Sequence, residues 1–223
     1  MTRQTGGIQL AVFDCDGTLV DGQGSICAAM EQAFAAARLP APPRTDIRRI
    51  VGLSLPHAVA RLAPDAKRKE IHHIVDAYKQ AFRAARASGE LAEPLFDGIA
   101  PLLDRLRSAG WLLGVATGKS DRGLVHCLAS HQLSDHFITL QTADRHPSKP
   151  HPAMLEAALD EALAEPQHAV MIGDTAYDMA MAVAAGVRAI GVAWGYHESA
   201  ELMASGAEYV AASPQELGDY LIR

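Results

Sequence analysis

Two aspartates, Asp14 and Asp16, stand two positions apart directly after an apolar run. If the extended backbone of that run continues, both side chains point to the same side. Two carboxylates this close repel each other unless a cation lies between them or one of them holds a proton. Asp174 follows another apolar run and adds a third oxygen donor, and oxygen ligands with open water positions are typical of Mg²⁺. We therefore predict Asp14, Asp16 and Asp174 as metal ligands; helix N-capping would explain Asp174 alone but not the pair.

Four further positions could complete such a site. Thr117 and Gly118 end another apolar run and bring a hydroxyl group, and Lys149, which precedes a proline, brings a positive charge. Asp178 lies one helical turn after Asp174 and could orient the metal ligands. A purely structural role does not explain so many carboxylates beside a hydroxyl and a lysine.

Apolar runs and helical patterns alternate along most of the chain. Strands are predicted over residues 8–13, 111–116, 137–140, 169–172 and 189–193. Helices are predicted over residues 98–109, 121–131, 152–164 and 176–185. This alternation predicts an α/β fold with a doubly wound, parallel, Rossmann-like sheet. Ligands of such sheets bind beyond the carboxyl ends of the strands, which is where all the polar positions described above would meet.

The region between the first two predicted strands carries only helical patterns, over residues 25–38, 46–50, 55–62 and 65–87. Such a block predicts an inserted α-helical cap domain, residues 23–94, in a core domain formed by residues 1–22 and 95–223. Its hinges would be residues 22–24 and 93–98.

The composition excludes several classes of protein. With 223 residues, of which 49% are hydrophobic and 21% charged, the chain has enough apolar material for a core. A net charge of -6 without a basic run predicts no nucleic-acid partner. The apolar runs are too short to cross a membrane, and residues 1–7 do not form a leader, so no membrane association is expected. Three scattered cysteines fit a reducing compartment, which predicts a cytoplasmic location.

Four segments, taken in order, resemble the motifs of the haloacid dehalogenase superfamily of phosphohydrolases. Residues 12–21 (VFDCDGTLVD) are similar to the first motif, and Thr117 with Gly118 to the second. Lys149 and the residues after it resemble the third motif, and residues 173–178 (GDTAYD) the fourth. Residues 205–210 also resemble the closing strand of that family. The resemblance extends from about residue 8 to the C-terminal tail, and four motifs in register are far more specific than one.

The resemblance implies a Mg²⁺-dependent mechanism with an aspartyl-phosphate intermediate. Asp14 would attack phosphorus, while Asp16 would protonate the leaving alcohol and then deprotonate the attacking water. Thr117 and the Gly118 amide would hold the phosphoryl oxygens, and Lys149 would neutralise their charge. The substrate would be a small phosphorylated metabolite, a phosphate monoester similar to phosphoglycolate.

The helical insertion resembles the small cap of the branch that includes phosphoglycolate phosphatases and β-phosphoglucomutases. Residues 52–54 look like the cap loop that enters the site, and Arg48 or Arg49 could meet a substrate carboxylate. Related mutases tend to carry an arginine where this chain has Leu55, which favours a phosphatase. Gly22 replaces the Ser or Thr of many relatives, without loss of a catalytic group.

Several alternatives stay open at this point. A phosphomutase or a pyrophosphatase could use the same core, and a binding protein that senses a phosphorylated metabolite is a further alternative. A dehalogenase is disfavoured by Asp16, which that chemistry does not require. The sequence leaves the physiological substrate, the cap residues that select it and the oligomeric state (monomer or homodimer) undetermined.

Some other residues could be taken for functional ones but are interpreted as structural. Leu113 stands where a phosphate-binding loop requires glycine, so Lys119 is interpreted as a residue of a helix start or of the site's rim. Cys15 is expected to be buried filler, and His197 a loop residue without a catalytic role.

Overall fold

The computed structural model describes residues 7–222. Six strands are present: β1 (Leu10–Phe13), β2 (Leu112–Thr117), β3 (Thr139–Thr142), β4 (Ala169–Gly173), β5 (Arg188–Val192) and β6 (Tyr209–Ala211). They form one sheet in the order β3-β2-β1-β4-β5-β6, and every neighbouring pair is parallel. The predicted doubly wound, Rossmann-like α/β fold is confirmed. The third strand begins two residues later than predicted, and β6 lies where the resemblance to a closing strand indicated it.

Ten helices accompany the sheet within the described residues. The first four are α1 (Gln23–Ala36), α2 (Arg44–Arg49), α3 (Leu55–Leu62) and α4 (Arg68–Ser88). The others are α5 (Ile99–Ser108), α6 (Asp121–Ser130), α7 (Ala153–Ala162), α8 (Ala176–Ala184), α9 (Ser199–Ala204) and α10 (Pro214–Leu221). Single 3₁₀ turns occur at Ser134–His136 and Pro166–His168. Of these, α9 and α10 were not predicted.

The central strand β1 is apolar throughout because both of its faces are covered. Ala11 and Phe13 point into a hydrophobic cluster that includes residues of α5, α6 and α10. Leu10 and Val12 point into a second cluster, on the opposite face, with residues of α7, α8 and α9. All four side chains are fully buried. This two-sided burial fixes the positions of the polar residues that follow the strand.

Helices α1–α4, which we call the cap, share a hydrophobic cluster of their own. Its buried members include Ile26, Met30, Phe34, Ile47, Val59 and Ile74. Helix α4 packs against α1 and α3, and α1 packs against α2. The division into a core of residues 1–22 and 95–223 and a cap domain of residues 23–94 stays a proposal, and residues 1–6 and 223 lie outside the described part of the chain.

Within residues 7–222, none of the helices has the length and apolar character required to cross a membrane. The cytoplasmic location therefore stays a prediction.

Candidate active site

The site lies where the order of the strands reverses, at the carboxyl ends of β1 and β4. Asp14 follows β1, and its backbone N–H donates to the Ile172 carbonyl of β4 at 2.9 Å. Asp174 follows β4 directly. Both aspartates are fully buried, so neither carboxylate is solvated by bulk water. This is the edge of a doubly wound sheet at which ligands bind.

Lys149 lies between two of the buried carboxylates. Its Nζ atom is 2.9 Å from Oδ1 of Asp14 and 2.6 Å from Oδ1 of Asp178. The other oxygen of Asp178 accepts hydrogen bonds from the backbone N–H and the hydroxyl of Thr175, at 3.0 and 2.6 Å. Asp178 thus fixes the lysine and caps the start of α8, so that both of its oxygens are occupied.

The remaining oxygen of Asp14, Oδ2, is buried without a hydrogen-bond partner among residues 7–222. Asp174 accepts from the Thr18 hydroxyl and from the Tyr196 backbone N–H, both at 2.9 Å. One oxygen each of Asp14, Asp174 and Asp178 lies within 4.8 Å of the others. A set of buried carboxylates that includes an unpartnered oxygen fits a hard divalent cation.

The protonation behaviour of these groups reflects their burial. Desolvation raises the pKa of Asp14 to about 7, against the opposing effect of Lys149 and with a further increase from Asp178. Burial, together with the charges of Asp178 and Asp14, also raises the pKa of Asp174 well above its usual range. Without a cation, the site holds more negative charge than it accommodates easily.

Asp16 does not join this group of carboxylates. Its Oδ1 atom lies 3.0 Å from Nζ of Lys119, which also lies 2.5 Å from Oε1 of Glu93. The predicted pairing of Asp14 and Asp16 assumed that the strand continues, but a tight turn begins here. Gly17 has a φ of 83°, and its N–H donates to the Val20 carbonyl. Asp16 is not among the carboxylates whose oxygens lie within 4.8 Å of one another, so the structure gives no support to the Asp16 side chain as a metal ligand.

Lys119 directly precedes Ser120, the N-cap of α6, so its interpretation as a residue of a helix start is confirmed, but the sequence did not show its ion pairs. Only 10% of its side chain is exposed, and it joins Asp16 to Glu93 in one ion-paired group. Glu93 lies in the segment predicted as a hinge. Sequence reasoning missed this group because the two carboxylates are far apart along the chain.

Thr117 and Gly118 lie beside Asp14 and Asp16 in the lining of one cavity, and Thr117 is buried. A Cβ atom on Gly118 would lie 2.5 Å from the Leu53 carbonyl oxygen and 2.7 Å from that of Gly52. The Ser54 N–H donates to the Ser148 hydroxyl at 2.8 Å, which fixes the loop from the other side. The loop predicted to enter the site therefore lies directly over the second motif.

The cavity has a volume of about 390 Å³ and lies between the cap and the edge of the sheet. Its sheet side includes the site residues Asp14, Asp16, Thr117 and Gly118. Its cap side includes α1, the loop after α2, and one face of α4. The residues of α4 were not predicted as site residues, because a helix pattern does not show what its polar face meets.

The other predicted residues lie outside this cavity. Arg49 pairs with Glu201 at 2.5 Å, and neither Arg48 nor Arg49 lines the cavity, so the expected role toward a substrate carboxylate finds no support. His197 lies between the Arg49 carbonyl and the Ala176 N–H, which is a structural role.

Cys15 is buried, as expected for a filler residue. Its Sγ atom lies 3.9 Å from that of Cys127 within the hydrophobic core.

A Rossmann-like sheet with a helical insertion and a buried carboxylate–lysine site at the strand ends defines a hydrolase of the haloacid dehalogenase type. The family model of haloacid dehalogenase-like hydrolases matches residues 11–192, and the chain belongs to this family. The predicted resemblance is confirmed, and the protein is a phosphatase.

Known proteins align with this chain over nearly its whole length. The "probable phosphatase IndB" of Dickeya dadantii (strain 3937) is 34% identical over 213 residues, which cover 94% of this chain and 89% of that protein. The phosphoglycolate phosphatase of Vibrio vulnificus (strain CMCP6) is 27% identical over 233 residues, which cover 100% and 99% of the two chains. A haloacid dehalogenase-like family hydrolase from Streptococcus pneumoniae superimposes with a TM-score of 0.84 at 27% identity, with 96% of this chain and 98% of that chain covered.

Proposed function

We propose that the protein hydrolyses a small phosphate monoester of the phosphoglycolate kind, with Mg²⁺, through an aspartyl-phosphate intermediate. The observation that carries this proposal is the environment of Asp14. One of its oxygens is held by Lys149 and by the Cys15 N–H, while the other is buried without a partner among residues 7–222. A carboxylate fixed at one oxygen and free at the other is oriented for attack on phosphorus.

In the first step Asp14 forms a bond to phosphorus, and the bond from phosphorus to the leaving oxygen breaks. Lys149 favours the ionised form of Asp14 and, together with the Thr117 hydroxyl and the Gly118 N–H, stabilises the charge on the phosphoryl oxygens. Asp16 gives its proton to the leaving alcohol. Burial raises the pKa of Asp16, against the opposing effect of Lys119, and a carboxyl that retains its proton is suited to this role.

In the second step the ionised Asp16 takes a proton from water, which attacks the aspartyl phosphate. Phosphate leaves, and Asp14 is restored. The cap loop over Gly118 excludes other water from the site, which protects the reactive acyl phosphate.

The residues present fit a Mg²⁺ ion, as the unpartnered oxygen of Asp14 indicates. Asp14 and Asp174 would hold the ion, with Asp178 beside them. When bound, Mg²⁺ supplies positive charge that offsets the negative charge of the phosphoryl oxygens.

The test compares Asp14→Asn with the native chain on phosphoglycolate, pyrophosphate and a set of sugar phosphates. Loss of the nucleophile should lower phosphate release at least about 10³-fold, since no other residue replaces a covalent nucleophile. Asp65→Asn, an exposed aspartate outside the cavity, is the matched control and should retain full activity. Circular dichroism shows whether both variants are folded.

The intermediate is tested separately, by acid quench during turnover of a ³²P-labelled ester. The native chain should retain label that hydroxylamine releases, as expected of an acyl phosphate, and Asp14→Asn should retain none. Full turnover by a folded Asp14→Asn variant would overturn the mechanism. Release of phosphate from pyrophosphate alone would instead favour the pyrophosphatase alternative.

A further inference from the structure

We propose that the cap side of the cavity binds a second anionic group of the substrate, a carboxylate or a second phosphate, on an apolar body larger than glycolate. This inference rests on the proposed function, because it concerns the substrate of the same site. The inference adds to this site a distinct anion-binding subsite on α4.

Three cations on one helix form the subsite. Lys79, Arg83 and Arg86 line the cavity and are spaced four and three positions apart on α4, so they share one face of that helix. Arg122, near the start of α6, adds a fourth cation from the opposite side of the cavity. Cations from both the cap and the core therefore line the same cavity.

None of these four cations has an ion-pair partner among residues 7–222. The chain has 26 acidic residues against 20 lysines and arginines, so carboxylates are not scarce. Outside the cavity, Arg44 pairs with Glu31 and Arg188 with Glu208, whereas Arg48 and Arg107 have no ion-pair partner among residues 7–222. What distinguishes the four is that they line one cavity, where together they supply positive charge for an anionic ligand.

Arg86 supplies an independent observation. Its Nε atom is buried and has no hydrogen-bond acceptor among the described residues, although the side chain lines the cavity. A buried donor on a charged group is costly when it lacks an acceptor. A bound carboxylate or phosphate would supply this acceptor, and guanidinium groups bind both anions with two parallel hydrogen bonds.

The size and lining of the cavity indicate the nature of the part of the substrate that links its two anionic groups. A volume of about 390 Å³ lies within the range of pockets that enclose ligands of about drug size, which a two-carbon ester does not fill. Apolar side chains from the cap line the same space: Ile26, Met30, Ile50, Leu53 and Phe82. Such a surface suits a ring or hydrocarbon body that links the transferred phosphoryl group to the second anion.

The experiment compares three esters with the same ring: phenyl phosphate, 4-carboxyphenyl phosphate and 1,4-phenylene bisphosphate. The native chain should prefer at least one of the two doubly anionic esters over phenyl phosphate, by about ten- to a hundredfold in kcat/KM. Preference for the carboxylate or for the phosphate identifies which second group the subsite takes. In Arg86→Gln and Arg83→Gln this preference ratio should fall about tenfold or more.

Arg68→Gln is the matched control, because Arg68 is an exposed arginine in the first turn of α4 and does not line the cavity. Its preference ratio should remain that of the native chain. Equal rates on all three esters in the native chain, or an unchanged ratio in Arg83→Gln and Arg86→Gln, would overturn the subsite.

A binding measurement distinguishes a failure of the proposed subsite from a failure of the proposed function. Calorimetry with Asp14→Asn compares the affinities of phenyl phosphate and 4-carboxyphenyl phosphate or the bisphosphate without turnover. If no ester is hydrolysed but a doubly anionic ester binds more tightly in an Arg86-dependent way, the hydrolase proposal fails and the subsite stands. If phenyl phosphate is hydrolysed and no such difference in affinity appears, the subsite fails and the hydrolase proposal stands.

Discussion

Lys119 joins two carboxylates that come from distant parts of the chain. Asp16 and Glu93 are nearly buried, and the lysine between them is their shared cation. In Lys119→Met both carboxylates lose this partner, and removal of one member of a buried ion pair typically costs about 3–5 kcal/mol. We expect the free energy of unfolding, measured by urea denaturation, to fall by about 3 kcal/mol.

The double variant Lys119→Met/Glu93→Gln provides the control for this prediction. It removes the charge of Glu93 together with the lysine, so its loss should be smaller than the sum of the two single losses. Strictly additive losses would show that the three groups do not act together.

Asp16 should matter most for esters whose alcohol leaves with difficulty. In Asp16→Asn the single-turnover rate of alcohol release should fall about 10²–10⁴-fold for an alkyl phosphate, because the alkoxide then leaves without a proton. For 4-nitrophenyl phosphate the loss should be far smaller, since nitrophenolate needs little protonation. Equal losses for both esters would contradict the role of Asp16 as a proton donor.

The sequence predicts a residue's place at a strand end more surely than the direction of its side chain. Asp14, Thr117 and Asp174 meet because parallel strands bring their carboxyl ends to one edge, and their positions follow from the apolar runs. The direction of the Asp16 side chain was less predictable, because the strand ends here and a tight turn with a positive φ at Gly17 follows. Its partner Lys119 could not be found, because pairing across distant loops leaves no local pattern.

At the scale of elements, the cap loop and the second motif approach each other with no space for a side chain. In Gly118→Ala the added methyl group would meet backbone carbonyl oxygens of residues 52 and 53, which cannot rotate away as a flexible side chain can. The loop would have to move, and a displacement of about 1 Å near a reacting centre can cost about a hundredfold in rate. We expect kcat/KM to fall at least about tenfold while the circular dichroism spectrum stays unchanged.

Gly24→Ala is the matched control for this substitution. Gly24 lies in α1, with nothing within 4 Å of an added Cβ atom, and alanine is the better helix former. Its activity should equal that of the native chain. Full activity in Gly118→Ala as well would show that the loop tolerates displacement.

The elements themselves were predictable where their patterns are long. All four helices of the cap were predicted, and the two long ones, α1 and α4, are rich in alanine, which favours helix. The short helix α10 was missed, although Ser213 followed by Pro214 is a common helix start, and the Ser213 hydroxyl does cap it. The proximity of α4 to the site could not be predicted, because it depends on how the cap packs over the sheet.

At the scale of the whole molecule, the site concentrates negative charge in a chain whose net charge is already -6. Three buried aspartates, Asp14, Asp174 and Asp178, lie together, Lys149 pairs with Asp14 and Asp178, and burial raises the pKa of Asp14 and of Asp174. A divalent cation that binds only the folded chain adds stability, by about 2.7 kcal/mol at a concentration of 100 times its Kd. For a protein of this size that corresponds to a rise in Tm of roughly 5–10 °C.

Mg²⁺ should therefore raise Tm at constant ionic strength, and EDTA should reverse both this rise and the phosphatase activity. Asp174→Asn removes one ligand and one buried negative charge, so two opposite changes are expected. Without Mg²⁺ the variant should melt at a higher temperature than the native chain, because repulsion within the site is relieved. With Mg²⁺ its Tm should barely change, because the remaining carboxylates hold the ion poorly. Differential scanning calorimetry measures all four states, and a full Mg²⁺ shift in Asp174→Asn would place the metal elsewhere.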